Sequence, residues 1–283
     1  MFNIVEKKWT FIIISLVIIA AGIVSYFAFG GFNADIDFAG GTEIIITGID
    51  YNEKAITKTI ESVEGVKVSS VQKIEEGVLV KTATLSDKQA TAVKEAVPAQ
   101  HKDAKVASVE TISPTIGKEL WKSAATSIAI AAILMLLYIT FRFEVLSGLS
   151  AVIALIHDLL IMISFYVIFR VPVNTSFIAA ILTILGYSIN ATIVIFDRIR
   201  ENARFAKKVP FAETVNKSIW QTLNRSINTS LTTLFTLVVL YIIGVQSIKE
   251  FALPLIVGIV AGTYSSVFIS GPVWATLKGE KNA

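Results

Sequence analysis

The chain has 283 residues, 54% of them hydrophobic, a mean hydropathy of +0.68 and a formal net charge of +3 from 25 Lys+Arg against 22 Asp+Glu. That apolar content exceeds what soluble domains carry and points to an integral membrane protein, while the slight positive balance argues against a nucleic-acid partner. Cys is absent, which excludes disulfides, thiolate nucleophiles and Cys-ligated metal, and His101 with His157 are too few for a His-rich metal centre, so no cofactor is expected.

A hydrocarbon core about 30 Å thick takes about 20 apolar helical residues. The first such stretch is 9–29, behind Lys7 and Lys8; it is too long for a signal-peptide core and no small-x-small cleavage site follows, so it reads as an uncleaved anchor. Segment 30–120 carries the pattern of a soluble domain. Gly40-Gly41 supplies a turn out of the membrane, and 42–47 is an apolar β-branched strand. Residues 51–63 have helical spacing behind Asp50 as N-cap. Strands 66–74 and 78–83 flank the turn Glu75-Glu76-Gly77, helix 86–97 is capped by Ser86 and stopped by Pro98, and 105–112 is the last strand. The order βαββαβ is that of a ferredoxin-like domain. Five more apolar stretches follow at 121–141, 145–169, 175–196, 226–244 and 251–277, with a charged loop at 197–225. The expected fold is a membrane all-α bundle of six transmembrane helices with one extracytoplasmic α+β ferredoxin-like domain between helices 1 and 2. It divides as 1–29, 30–120 and 121–283.

Orientation follows from the cations of the short loops. Lys7, Lys8, Arg142, Arg198, Arg200, Arg204, Lys207, Lys208, Lys217, Arg225, Lys278 and Lys281 lie on one side, against Arg170 and Lys249 on the other. Both termini are therefore expected in the cytoplasm and 30–120 outside.

Ionisable groups inside spans are costly unless paired and usually face a bundle interior. His157-Asp158 sits near the middle of the third span, with neighbours on a helix pointing about 100° apart. Ser147, Ser150, Ala154 and Asp158 form a small, polar stripe suited to helix packing, and a carboxylate there can equally serve only to bond a neighbouring helix. Thr183, Gly186, Asn190 and Asp197 share a face of the fourth span. Arg225, Thr229, Thr232 and Thr236 share one of the fifth, beside Asn228 and Thr233. Those threonines fit helix packing as well as function, whereas Arg225 must snorkel or pair. Gly258 and Gly262 with Ser265 and Ser266 read as a packing face. Phosphate-loop, His-Glu-x-x-His and Gly-x-Ser-x-Gly signatures are absent, and the divergence of His157 from Asp158 counts against an intramembrane protease. The chain is therefore expected not to be an enzyme.

Six motifs carry a resemblance. Asp35-Ile-Asp-Phe-Ala-Gly-Gly-Thr42, Ile112-Ser-Pro-Thr-Ile-Gly-Lys-Glu-Leu120, His157-Asp158, Gly186-Tyr-Ser-Ile-Asn190, Phe196-Asp-Arg-Ile-Arg-Glu-Asn202 and Asn224-Arg-Ser-Ile-Asn-Thr-Ser-Leu-Thr-Thr233 together resemble the SecF branch of the SecD/SecF family, over essentially the whole chain. The resemblance implies membership of the resistance-nodulation-division superfamily in the bacterial cytoplasmic membrane, and pairing with SecD beside the SecYEG channel. YajC is a further candidate partner. It also implies use of the proton-motive force to move exported polypeptide, in contact with membrane lipid and no nucleic acid. By that resemblance His157, Asp158, Asn190, Ala191, Arg225, Thr229 and Thr233 lie on the proton path, Asp37, Gly40 and Gly41 form a hinge, and Asp197, Arg198 and Arg200 form a cytoplasmic motif. The family has Asn-Asp-Thr where this chain has Asn190-Ala191-Thr192, so the carboxylate expected opposite Arg225 is missing. Either the proton path is altered or another acid, Asp158 or one on SecD, takes its place. A structural or assembly subunit without a proton path of its own is the competing reading, and a small-molecule exporter half is a third.

Overall fold

The computed structural model describes residues 2–75, 77–205 and 209–281. Glu76, Lys207 and Lys208, named above for a turn and for charge, lie outside them, as does the side chain of Lys281. Helix α1 (Lys8–Ala28) leads into a one-turn helix α2 (Ile36–Ala39). Then follow β1 (Gly41–Thr47), α3 (Glu53–Glu61), β2 (Val68–Ile74), β3 (Gly77–Thr82), α4 (Asp87–Gln100) and β4 (Lys105–Ile112). The remainder is helical: α5 (Pro114–Arg142), α6 (Val145–Ile168), α7 (Thr175–Phe205), α8 (Phe211–Ile243), α9 (Gln246–Ser265), a π turn at Ser266–Ser270, and α10 (Gly271–Lys281). Six helical stretches, the last running from Gln246 to Gly279 through the π turn, are long and apolar enough to cross a membrane, which makes this a multi-pass membrane protein.

The four strands form one antiparallel sheet in the order β2-β3-β1-β4. Alternation along β1 puts Ile44 and Ile46 on one face, with Val78 and Val80 of β3 beside them. Ile56 and Ile60 of α3 and Val93 and Val97 of α4 cover that face and complete a core. Two expected caps are corrected. Asn52, not Asp50, caps α3 by accepting from the Ala55 N–H at 3.2 Å, and Pro98 lies inside the last turn of α4 without ending it. Ser86 caps α4 as expected, in a capping box with Gln89.

The expected loop 197–225 is also corrected: residues 197–205 and 211–225 are helical, because α7 and α8 run on past their apolar stretches. Hydropathy marks where a helix leaves hydrocarbon, not where it ends. Ile195, Phe196 and Ile199 of α7 and Val215 and Ile219 of α8 are fully buried there, so packing continues the helices beyond the span. Similarly α5 starts at Pro114, seven residues before its expected apolar stretch, with Ser113 as N-cap and Pro at the first position.

α6, α7 and α9 form the interior of the bundle, and contacts between small residues draw the helices together. A Cβ on Gly22 of α1 would stand 2.3 Å from the Ser164 Oγ of α6, and one on Gly258 of α9 would stand 2.5 Å from Ile184 of α7. Gly262 meets Ser188 in the same way, so the small-residue face of α9 packs on α7. Replacing Gly258 by Leu should therefore force α9 off α7 and cost about 1–3 kcal/mol. Thermal unfolding in detergent should show a clear loss for Gly258→Leu and almost none for Val260→Leu, which changes an exposed side chain of the same helix.

Candidate functional site

The middle of α6 carries His157 and Asp158, both buried, Asp158 at 1% exposure. The imidazole turns back toward its own neighbour, with Nδ1 3.0 Å from Asp158 Oδ1, and its Nε2 lies 2.8 Å from Ser15 Oγ on α1. This corrects the expectation that the two side chains diverge. Their Cα–Cβ bonds do point apart, but a histidine ring is long enough to reach the carboxylate of the next residue. The second carboxylate oxygen of Asp158 accepts a short hydrogen bond from Ser188 of α7. Tyr264 of α9 stacks on His157 at 5.9 Å between ring centres, and its hydroxyl donates to the Phe11 carbonyl at 2.9 Å. Ser15 also lies 3.2 Å from that carbonyl. Four helices thus meet at one polar node in an otherwise apolar layer.

Two hydrogen arrangements fit the same heavy atoms. In one, a neutral imidazole donates from Nδ1 to Asp158 and accepts at Nε2 from Ser15. In the other, an imidazolium donates from both nitrogens and the Ser15 hydroxyl turns to the Phe11 carbonyl. They differ by one proton, and neither requires a backbone shift. The order Ser15, His157, Asp158 is also that of a hydrolytic triad. Ser15 lies mid-helix, where the neighbouring N–H groups are engaged in the α1 ladder and are not free to hold an oxyanion.

Beyond Ser188 the polar contacts continue more weakly. The Ser266 hydroxyl, at the π turn, lies 3.5 Å from the Ser188 carbonyl and 3.0 Å from Thr192 Oγ1. The fourth- and fifth-span residues sit elsewhere. Asn190, Arg225 and Thr229 are exposed, Ala191 is half-buried, and among the described residues Arg225 makes no hydrogen bond or ion pair. Tyr187 joins the two helices, its hydroxyl 3.3 Å from the Thr229 carbonyl and 3.4 Å from Thr233 Oγ1. Asp158 and Arg225 are therefore not brought together. Thr183, Gly186 and Asn190 on α7, with Asn228, Thr229, Thr232 and Thr236 on α8, present exposed polar faces instead. Of the third motif, Arg198 bonds Gln221 and Glu201, both at 2.6 Å, while Asp197 and Arg200 are exposed. Sequence reasoning missed Ser15 and Tyr264, which carry no local signal; Ser188 was visible only as the serine of Gly-Tyr-Ser.

The Asp35–Thr42 segment is a close-packed seam between sheet and bundle. Gly40 has φ +76°, and a Cβ there would stand 2.8 Å from the Pro114 nitrogen. Phe38 packs on Trp121 with ring centres 4.4 Å apart, and Gly117 admits the Phe38 carbonyl. Asp37 accepts from the backbone N–H of Thr175 at 2.8 Å and its hydroxyl at 2.7 Å, holding the first turn of α7. Gly41 approaches the Thr82 carbonyl of β3 and Ile36 of α2, so the pair of glycines permits contact on both sides. Next to it, Lys81 of β3 makes a buried ion pair with Asp35, its Nζ 2.6 and 2.7 Å from the two carboxylate oxygens. The Asp35 N–H donates to the Val173 carbonyl just before α7.

The comparisons with known proteins bear on this arrangement. Residues 92–280 match the family model described as protein export membrane protein SecD/SecF, C-terminal. The protein translocase subunit SecF of Sebaldella termitidis is 41% identical over 253 residues, covering 86% of this chain and 81% of that protein. The chain belongs to the SecD/SecF family. The SecF subunit of Alicyclobacillus acidocaldarius is 37% identical across 96% of this chain. The crystal structure of SecDF from a Thermus species, described as a translocon-associated membrane protein, superposes with a TM-score of 0.86 at 34% identity. It covers all of this chain, which spans 39% of that longer one. Family membership supports a role in protein export and matches the six helices and small antiparallel sheet.

Burial raises the Glu43 carboxyl above its usual value of 4.5, helped by the nearby Asp35, Glu250 and Glu110, while Lys81 opposes the shift. A carboxyl so raised favours the folded state most when protonated, so its contribution is complete below about pH 4.5 and is lost as pH rises through the raised value. Glu43→Gln should therefore flatten the loss of sheet stability between pH 4.5 and neutrality, read as hydrogen exchange of the β1 amides in the full chain. Unchanged pH dependence would show that Glu43 is not responsible.

Proposed function

We propose that this chain is a non-enzymatic, SecF-like membrane subunit that works with SecD to couple proton movement to protein export beside the SecYEG channel. In this reading both termini are cytoplasmic, and the ferredoxin-like domain, residues 30–120, lies outside the cytoplasmic membrane. The carrying observation is the buried node of Ser15, His157, Asp158 and Ser188, which can hold one proton more or less on fixed heavy atoms and ties α1, α6 and α7 together. Adding or removing that proton changes the charge inside the bundle, which biases helix packing between arrangements that stabilise it differently. Movement of α7 would reach the sheet through Asp37 at its first turn and through Asp35, bonded to Val173 and Lys81. Asp158 then takes the place of the acid lost at Ala191, and Arg225 awaits a group on SecD.

Two features support SecD as partner. Homologues such as the Bacillus subtilis protein translocase subunit SecDF, 38% identical over 98% of this chain, are longer single chains bearing both names. The exposed polar faces of α7 and α8 would be costly against lipid and need a polar neighbour. YajC and the exported polypeptide remain proposed partners on resemblance alone. Arg225, unpaired among the described residues, and the alanine at 191 also favour the second reading, an assembly subunit that stabilises SecD or the channel with no proton path.

Proton flux into vesicles containing this chain and SecD separates the two. Asp158→Asn should reduce flux at least tenfold while the complex still assembles, Ala191→Asp should raise it, and Arg225→Ala should lower what remains. Flux and export indifferent to all three in assembled complexes would leave scaffolding as the function.

A further inference from the structure

At the end of the bundle that carries both termini, a cavity of about 560 Å³ opens between α5, the turn that follows it, α7, α8 and α10. Arg142, Arg200, Arg204 and Lys278 line it, against one carboxylate, Glu144. Among the described residues only Lys278 is paired: its Nζ lies 2.9 Å from Glu144 and sits over the Phe211 ring at 4.6 Å. Among the described residues, the three arginines make no hydrogen bond or ion pair to a carboxylate. Arg142 comes from the last turn of α5, while Arg200 and Arg204 lie one turn apart on α7, so the guanidinium groups come from two helices and converge on one opening. Aromatic side chains border the same opening. Phe141 lines it at 89% exposure and Phe205, next to Arg204, is 85% exposed, while Trp274 is buried at its wall.

Three unpaired arginines cost electrostatic repulsion that an anion would relieve, and the guanidinium fork suits phosphate oxygens in particular. A soluble phosphate compound would not account for the exposed phenylalanines beside the cations. A phospholipid would, because its phosphate sits at the depth where these helices leave hydrocarbon and its chains lie against Phe141. We propose that this cavity is a binding site for the headgroup of an anionic phospholipid of the leaflet facing the termini, held by Arg142, Arg200 and Arg204 through its phosphate. Lys278, fixed by Glu144 and Phe211, closes one side. The ligand would link α5 to α7 where, in the described residues, no polar contact joins Arg142 to Arg200 or Arg204.

Native mass spectrometry of the full chain in detergent, titrated with phosphatidylglycerol or phosphatidylcholine, tests the site. Wild-type protein should retain phosphatidylglycerol at least tenfold more tightly, and Arg142→Gln/Arg200→Gln/Arg204→Gln should remove that preference. Arg→Lys at the same three positions should retain phosphatidylglycerol over phosphatidylcholine, which shows that loss in the Gln variant is not misfolding. Lys217→Gln, an exposed cation at the same end, should change nothing. Equal retention of both lipids, or an undiminished preference in the Gln variant, overturns the proposal. So does displacement of the lipid by millimolar inorganic phosphate, which would mark a free-anion site, or retained lipid with loss of an acidic protein partner, which would mark a protein-docking surface.

Discussion

Asp158 is a carboxylate almost fully enclosed in a bundle of apolar helices, and an unpaired charge in such a place costs several kcal/mol. Its two oxygens are met from opposite sides, by His157 on its own helix and by Ser188 on α7, and the imidazole is in turn met by Ser15 on α1. Satisfying one acid therefore sets the relative positions of three helices. Gly22 facing Ser164 lets α1 approach α6, and Gly258 and Gly262 let α9 lie against α7. The small residues and the polar node depend on each other: the hydrogen bonds reward an approach that the glycines permit.

The same α7 that supplies Ser188 is held at its start by a different set of carboxylates. The Asp37 carboxylate bonds its first turn, while Asp35 donates its backbone N–H to the Val173 carbonyl and accepts from Lys81 of the sheet with its carboxylate. The protein thus has one long helix with a buried polar contact in its middle and hydrogen bonds toward the sheet at its beginning. Buried ion pairs such as Asp35–Lys81 contribute little net stability against desolvation, but they fix geometry, because removing either partner strands the other. That makes the seam between sheet and bundle a connection with defined orientation rather than a flexible turn. The glycines at 40 and 41 serve closeness of contact there more than freedom of movement.

Much of this was legible in the sequence. Six apolar stretches, the βαββαβ pattern, the cap at Ser86 and the packing role of Gly258 and Gly262 follow from local periodicity and residue size, which act within a few residues. His157 and Asp158 were identifiable as costly residues, and the motifs that carry the family resemblance lie in the sequence itself. What failed were inferences that needed a partner from far along the chain. The region 197–225 looked like a loop because hydropathy falls there, yet buried Phe196, Ile199 and Ile219 lie on helices that run through 197–205 and 211–225. The third-span pair looked divergent because helix geometry describes Cβ directions and not the reach of an imidazole.

Sequence by itself determined that this is a membrane protein without thiol chemistry, where its chain crosses, and which family it resembles, since each rests on composition, run length or contiguous motifs. Tertiary structure alone decided that Ser15, 142 residues before His157, is its hydrogen-bond partner. It also decided that Asp158 answers to Ser188 and not to Arg225, and that three arginines on two helices face a single cavity. The physical reason is one of range. Hydropathy and helix periodicity report what a residue does to its immediate neighbours, whereas pairing a buried charge depends on which distant helix packing brings within 3 Å.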